Sequence, residues 1–272
     1  MGKPELFKPG LKLSLEFADV FPIIYLGIQL KGLTGRDHAV KHLVIDEMQD
    51  YTPVQYAVIA KLFRCNKTIL GDENQAINAF SSLTSEMISG LFRHAECVRL
   101  CKSYRSSYEI TRFAQEISPN SELVAIERHG SNPLVVACSS AQEETRRIGL
   151  AIEEFRGSGQ HTMGIICKTQ THAEQLHKAI CEEIPDVHLL TARSSAFVQG
   201  VVVCAAHLAK GLEFDKVVVS NASDKNYTTQ LDRNLLYVAC TRAMHELLVT
   251  HIGARTRFIS EAAQYDEESA FS

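Results

Sequence analysis

Eight short apolar runs recur along the 272 residues: HLVID (42–46), KTILG (67–71), CVRLC (97–101), PLVVAC (133–138), TMGIIC (162–167), GVVVCA (200–205), DKVVVS (215–220) and ELLVT (246–250). Most are separated by stretches whose apolar residues recur at helical spacing. Strand and helix in alternation specify a parallel α/β sheet, because parallel neighbours need a crossover long enough to hold a helix. The pattern disfavours all-α and all-β folds. The first run, His42 to Ile45, is continuous rather than alternating, which is the mark of a strand buried on both faces. Upstream of it, Leu15 to Leu30 carries apolar residues at helical spacing ahead of Gly32 and Gly35. It is expected to form a helix that packs on the sheet.

Composition narrows the function classes. With 28 basic against 32 acidic residues the net charge is −4, so no global basic field draws the chain onto nucleic acid and any such contact must be local. The eight cysteines form no CxxC pair and lie mostly in apolar runs, which reads as reduced core thiols and a cytoplasmic setting. No histidine falls at zinc-like spacing from a cysteine. The longest early apolar run, FPIIYLGIQL, is too short to cross a bilayer, so no membrane partner is expected.

Chemistry-bearing residues gather where the apolar runs stop. In KHLVIDEMQDYTPVQ, Asp46, Glu47, Gln49 and Asp50 follow the first strand directly. In an open parallel sheet the carboxyl edge is where ligands bind, so carboxylates there suit a metal ion or an activated water. A solvated turn would look the same at this level. In TILGDENQAI the next strand ends in Gly71, Asp72 and Gln75. Gly71 permits a tight turn and Gln75 offers an amide to a phosphate oxygen or water, while a simple Asx turn is the alternative. In VRLCKSYRSSYEI, Tyr104 and Arg105 precede a helix that opens with Ser106 and Ser107. Arg105 could aim a planar guanidinium at phosphate and Tyr104 a ring face at a base; a surface salt bridge is the other reading of Arg105. Two later stretches, AAHLAKGLEFDKVVV and DRNLLYVACTRAMHELLVT, add Gly211, Glu213 and Arg242.

In that order, DEMQD, GDENQAI, YRSS, HLAKGLEF and YVACTRAM resemble motifs II to VI of superfamily 1 DNA helicases of the UvrD/Rep type, with the closest similarity to the helicase IV and HelD-like branch. The resemblance implies a P-loop NTPase fold of RecA-like parallel sheets flanked by helices, with one partial and one complete domain. It implies three regions: residues 1–93 with motifs II and III, 94–256 with motifs IV to VI, and a polar tail at 257–272. It also implies ATP and Mg²⁺. By motif, Asp46 would hold the metal and Glu47 would orient the attacking water. Gln75 would sense the terminal phosphate, and Arg105 and Arg242 would act as arginine fingers. Tyr104 would stack on adenine, and Gly211, in motif V, and Glu213, on the ribose, would also belong to the nucleotide-binding set. For single-stranded DNA, the matching positions are Phe80 and His207. Phe80 could equally be a core residue and His207 could satisfy a loop carbonyl.

One family element has no counterpart. No Gly-x-x-x-x-Gly-Lys-Ser/Thr loop occurs in the sequence, so the expectation is a C-terminal piece of a larger motor, inactive without its missing N-terminal part. About a hundred residues separate motifs IV and V, which leaves no room for a large inserted subdomain. The implied function is ATP-driven movement on single-stranded DNA. The alternatives are a HelD-like ATPase that remodels RNA polymerase, or a non-catalytic nucleotide- or DNA-binding module.

Overall fold

The computed structural model describes residues 15–32, 40–77, 83–92, 95–120, 122–194 and 199–259. The chain divides into two compact units, Met1–Val98 and Arg99–Ser272.

The first unit is built on two parallel strands, β1 (His42–Ile45) and β2 (Asn66–Ile69), paired in register from His42 opposite Asn66 to Ile45 opposite Ile69. Helix α1 (Phe17–Lys31) precedes them, α2 (Pro53–Leu62) connects them and α3 (Ser85–Leu91) follows. The start of α2 is dictated locally. Pro53 supplies a preset φ, and Thr52 and Gln55 form a reciprocal capping box that satisfies two otherwise orphaned amides. Ile45, Met48, Tyr56 and Ile88 form the buried core. Tyr56 is fully buried, its hydroxyl donates to Met48 O at 3.0 Å, and burial, helped by nearby Tyr51, pushes its phenol up to about 12.

Two expectations fail in this unit. β1 is not buried on both faces: Ile45 is buried, but Val44 is 61% exposed. Among the described residues β1 pairs only with β2, and the core just named covers one side of that pair. Helix α1 forms where its spacing indicates, yet none of its residues is buried. It lies beside α2, with Lys61 Nζ 5.8 Å from the Tyr25 ring centroid, rather than on the sheet.

The second unit begins with a short parallel pair, β3 (Lys102–Ser103) and β4 (Val124–Ala125), with α4 (Tyr108–Ile117) between them. Its main sheet is six parallel strands: β5 (Leu134–Cys138), β6 (Thr162–Cys167), β7 (Val187–Leu189), β8 (Gly200–Ala205), β9 (Phe214–Val219) and β10 (Ala243–Ile252), in the order β5-β10-β9-β6-β8-β7. The crossovers include α5 (Ala141–Gly157), α6 (Gln170–Cys181), the single turn α7 (Ala206–Ala209) and α8 (Gln230–Cys240). The continuous apolar runs of β6, β8 and β9 are buried on both faces, as such runs require. One core joins the sheet to α4 and α8, and a second joins it to α5 and α6. Ile259, the last described residue, is 4% exposed and belongs to the first of these cores. No helix among the described residues is long and apolar enough to cross a membrane.

The run CVRLC departs from its expected strand. Residues 95–101 have no regular structure, Val98 and Leu100 are 76% and 87% exposed, and pairing begins only at Lys102. Apolar residues make a strand only where a neighbouring strand takes up their amides. All eight cysteines are free, but only Cys138, Cys167, Cys204 and Cys240 are buried; Cys97, in the irregular run, is exposed. Burial pushes the Cys204 thiol up to about 12, so it packs as an uncharged core group.

A polar cluster secures the amino end of α8. Asp232 accepts from the Thr228 and Thr229 amides at 2.9 Å and lies 2.6 Å from Lys168 Nζ. Burial works to raise its carboxyl, but Lys168 and the Thr229 and Thr228 donors outweigh this and hold it well below the usual carboxylate range. A depressed carboxyl contributes stability above its unfolded value of 3.8, and that stability disappears as pH falls through the native value. Asp232→Asn is therefore expected to cost about 1.5–3 kcal/mol near neutrality and to flatten the stability profile below about pH 4. Urea titrations at a series of pH values check this; an unchanged acid limb would show that the pair contributes nothing.

Candidate functional site

The carboxyl ends of β1 and β2 are laced together by their own backbones. Leu70 N donates to Ile45 O, and Met48 N donates to Leu70 O, both at 2.8 Å. Between them the chain turns sharply at Glu47, whose φ of 53° and ψ of 52° are left-handed, a conformation uncommon outside glycine. The turn is held by its side chains. Asp46 Oδ1 accepts from the Glu47 amide at 2.8 Å. Gln49, only 1% exposed, donates from Nε2 to Glu47 Oε2 at 2.6 Å and accepts from the Asp72 amide at Oε1 at 3.1 Å. Gln49 thus fixes the Glu47 carboxylate to the second strand end. Asp72 in turn accepts from Gln75 Nε2 at 3.0 Å and caps the turn beyond it through the Asn74 amide.

Gly71 permits this approach. A Cβ there would lie 2.3 Å from Gln49 Oε1 and 2.7 Å from the Met48 backbone nitrogen. Gly71→Ala is expected to destabilise the chain by about 1–3 kcal/mol, because the second clash is with backbone that cannot rotate away. The denaturation midpoint measures it, and an unchanged value would mean that the two strand ends are looser than described.

Asp46 is exposed, and its second carboxylate oxygen has no partner among the described residues. No three His, Cys, Asp or Glu residues gather into a metal-holding group among the described residues. A single exposed carboxylate is compatible with Mg²⁺, which commonly takes one or two carboxylates and fills its shell with water and phosphate. Phe80 lies outside the described residues.

In the second unit three separate stretches converge. Arg105, after β3, donates from Nε to Glu213 Oε1 at 2.5 Å, with both side chains less than half exposed. Glu213 follows the Gly211 turn, where φ is +80°. Arg242, between α8 and β10, is 1% exposed. Its Nε donates to Val238 O at 3.1 Å, Nη1 to Leu212 O at 3.4 Å and Nη2 to Thr241 Oγ1 at 3.2 Å, while its own carbonyl accepts from Phe214 N at 3.0 Å. Arg242 therefore props the turn carrying Glu213, which in turn holds Arg105. The two serines after Arg105 complete the join: Ser106 Oγ donates to Ala243 O at 2.6 Å and Ser107 N to Met244 O at 3.1 Å. Tyr104 stands 67% exposed beside Arg105.

His207 is exposed on α7 and lines an open cleft of about 390 Å³ together with Gln170, Glu174, Thr191 and Arg193. Sequence reasoning missed Gln170. The signal was present, because Lys168, Thr169 and Gln170 follow the carboxyl end of β6 as Asp46 follows β1.

Comparison with known proteins finds helicase relatives. Residues 29–95 match the family model described as the UvrD/REP helicase N-terminal domain, and residues 200–250 match the UvrD-like helicase C-terminal domain. The chain is similar to the ATP-dependent DNA helicase Rep of Buchnera aphidicola subsp. Baizongia pistaciae, 26% identical over 159 residues, covering 53% of this chain and 24% of that protein. It is also similar to the ATP-dependent DNA helicase UvrD2 of Mycobacterium tuberculosis, 34% identical over 79 residues, covering 27% of this chain and 11% of that one. The chain thus spans a quarter or less of the length of these relatives. Among solved structures, the C-terminal domain of a possible DNA helicase from Lactobacillus plantarum WCFS1 matches at 33% identity with a TM-score of 0.51, over 59% of this chain and 96% of that one.

Proposed function

Because this chain belongs to the UvrD/Rep-like helicase family, we propose that it is the part of an ATP-dependent DNA helicase that carries the residues acting on the terminal phosphate and a contact surface for single-stranded DNA. The observation that carries this reading is the Gln49 bridge, which presets the Glu47 carboxylate against the strand end bearing Asp72 and Gln75. Such presetting is what phosphoryl transfer asks of a protein, since positioning and charge stabilisation supply most of the catalysis.

In this reading Asp46 holds Mg²⁺, which when bound neutralises charge on the phosphates. Glu47 accepts a hydrogen bond from the attacking water and orients it. Gln75 reports the terminal phosphate by exchanging its bond to Asp72. Arg105, released from Glu213, places its guanidinium on the phosphate, and Glu213 turns to the ribose. Arg242 acts as the second finger, exchanging its 3.4 Å bond to Leu212 O for the phosphate. Tyr104 offers its exposed ring to adenine. In the cleft, His207, Gln170 and Arg193 supply the local donors that a single strand requires from a chain of net charge −4. The division into motor domains at 1–93 and 94–256 belongs to the same proposal.

The test uses the whole protein to which the chain belongs. ATP hydrolysis is measured with and without single-stranded DNA, and stimulation of about tenfold or more is expected. No hydrolysis in either condition would overturn the reading.

A further inference from the structure

The segment ERHG, residues 127–130, belongs to none of the helicase-like motifs, yet it lies directly over the Arg105 loop. Arg128 Nη2 donates to the Arg105 carbonyl and also to the Met244 carbonyl at 3.4 Å. These two carbonyls come from the stretches that carry the two proposed fingers, Arg105 itself and, two residues before Met244, Arg242. The strap is in turn fixed to α4. Tyr108 N donates to Arg128 O at 2.8 Å, His129 Nδ1 donates to Glu109 Oε1 at 2.7 Å, and Gly130 N donates to Glu109 Oε2 at 2.8 Å. The Tyr108 and His129 rings pack at a tilt of 47° with centroids 5.2 Å apart, and Gly130 brings the strap so close that a Cβ there would stand 3.0 Å from Ser107 Cβ.

We infer that Arg128 is a positioning residue that sets the Arg105 loop at a fixed distance from the Arg242–Met244 segment. The two loops come from opposite ends of the second unit's sequence, and Ser106 and Ser107 alone bind Arg105's neighbours, not its own carbonyl. Arg128 closes that gap. A charged donor bonded to a carbonyl is stronger than a neutral one, which suits a loop whose side chain must swing while its backbone stays still. The role in turnover rests on the proposed function; the tie itself does not.

Two measurements separate them. The first is amide hydrogen exchange, resolved by NMR, on the 272-residue chain. In Arg128→Met the Ser107 and Tyr108 amides are expected to exchange at least tenfold faster, with protection in β6, β8 and β9 unchanged; Arg128→Lys, which keeps a charged donor, should retain most of the protection. Wild-type exchange at Ser107 and Tyr108, or an even loss across the sheet, would overturn the inference. The second is steady-state kinetics of the whole protein. Arg128→Met should lower kcat by about tenfold or more with the KM for ATP within about twofold, because misplacing a group that acts in the transition state leaves ground-state binding alone. An unchanged kcat would overturn the positioning role. Arg105→Ala serves as the reference: if it too leaves turnover intact, the proposed function has failed, whatever the exchange data show.

Discussion

Replacing Glu47 by Gln in the whole protein is expected to lower ATP turnover by about 10²- to 10⁴-fold while leaving ATP affinity within about threefold. The substitution changes one oxygen to an amide and alters no volume. The left-handed backbone at this position is unaffected, since Asp46 Oδ1 still accepts the residue 47 amide. Gln49 can still donate to the carbonyl oxygen of the new side chain, so the bridge to Asp72 persists. What is lost is the negative charge that draws a water proton. Steady-state turnover, together with titration of a fluorescent ATP analogue, separates the two effects. Turnover within tenfold of the unaltered protein would remove Glu47 from the water-orienting role.

Arg242→Ala should act first on the fold. The guanidinium is buried and serves carbonyls at Val238 and Leu212 and the Thr241 hydroxyl. Its removal strands buried acceptors, at about 1–3 kcal/mol per group, and leaves a cavity beneath the Leu212–Glu213 turn. A loss of roughly 3 kcal/mol or more is expected in urea denaturation of this chain. Glu213 should then lose its fixed relation to Arg105, and the Arg105–Glu213 bond should weaken with it. Arg242→Lys keeps the charge but not the planar set of donors and should recover part of the stability. A chain with Arg242→Ala and full stability would show that the guanidinium does not prop the turn. Since stability changes, any effect of Arg242 on turnover must be read in conditions where the variant is folded.

Much of the architecture was legible along the chain because it follows from local rules. The runs at β6, β8 and β9 are too continuously apolar to be anything but buried strands. The short strands β4 and β7, of two and three residues, escaped because no periodicity can be read over so few positions. CVRLC misled in the other direction. Its residues have strand propensity, but propensity describes fit to a neighbour, and among the described residues the ladder begins only at Lys102, with Cys101 O alone accepting from Val124 N.

At the candidate site, residue types and strand ends pointed to Asp46, Glu47, Gln75 and Arg105, since chemistry gathers at the carboxyl edge of a parallel sheet, whereas Glu213 and Arg242, which directly precede β9 and β10, came only from the motif resemblance. Their partners could not be read in the same way. Glu213 is 108 residues from Arg105, Met244 is 116 from Arg128, and Gln49 reaches Asp72 across 23. Strand identity and helix caps depend on residues a few positions apart, which is why the order of letters suffices for them. Whether Arg242 lies open or buried, and which donor holds Arg105, depends on groups that only the folded sheet brings within hydrogen-bonding reach.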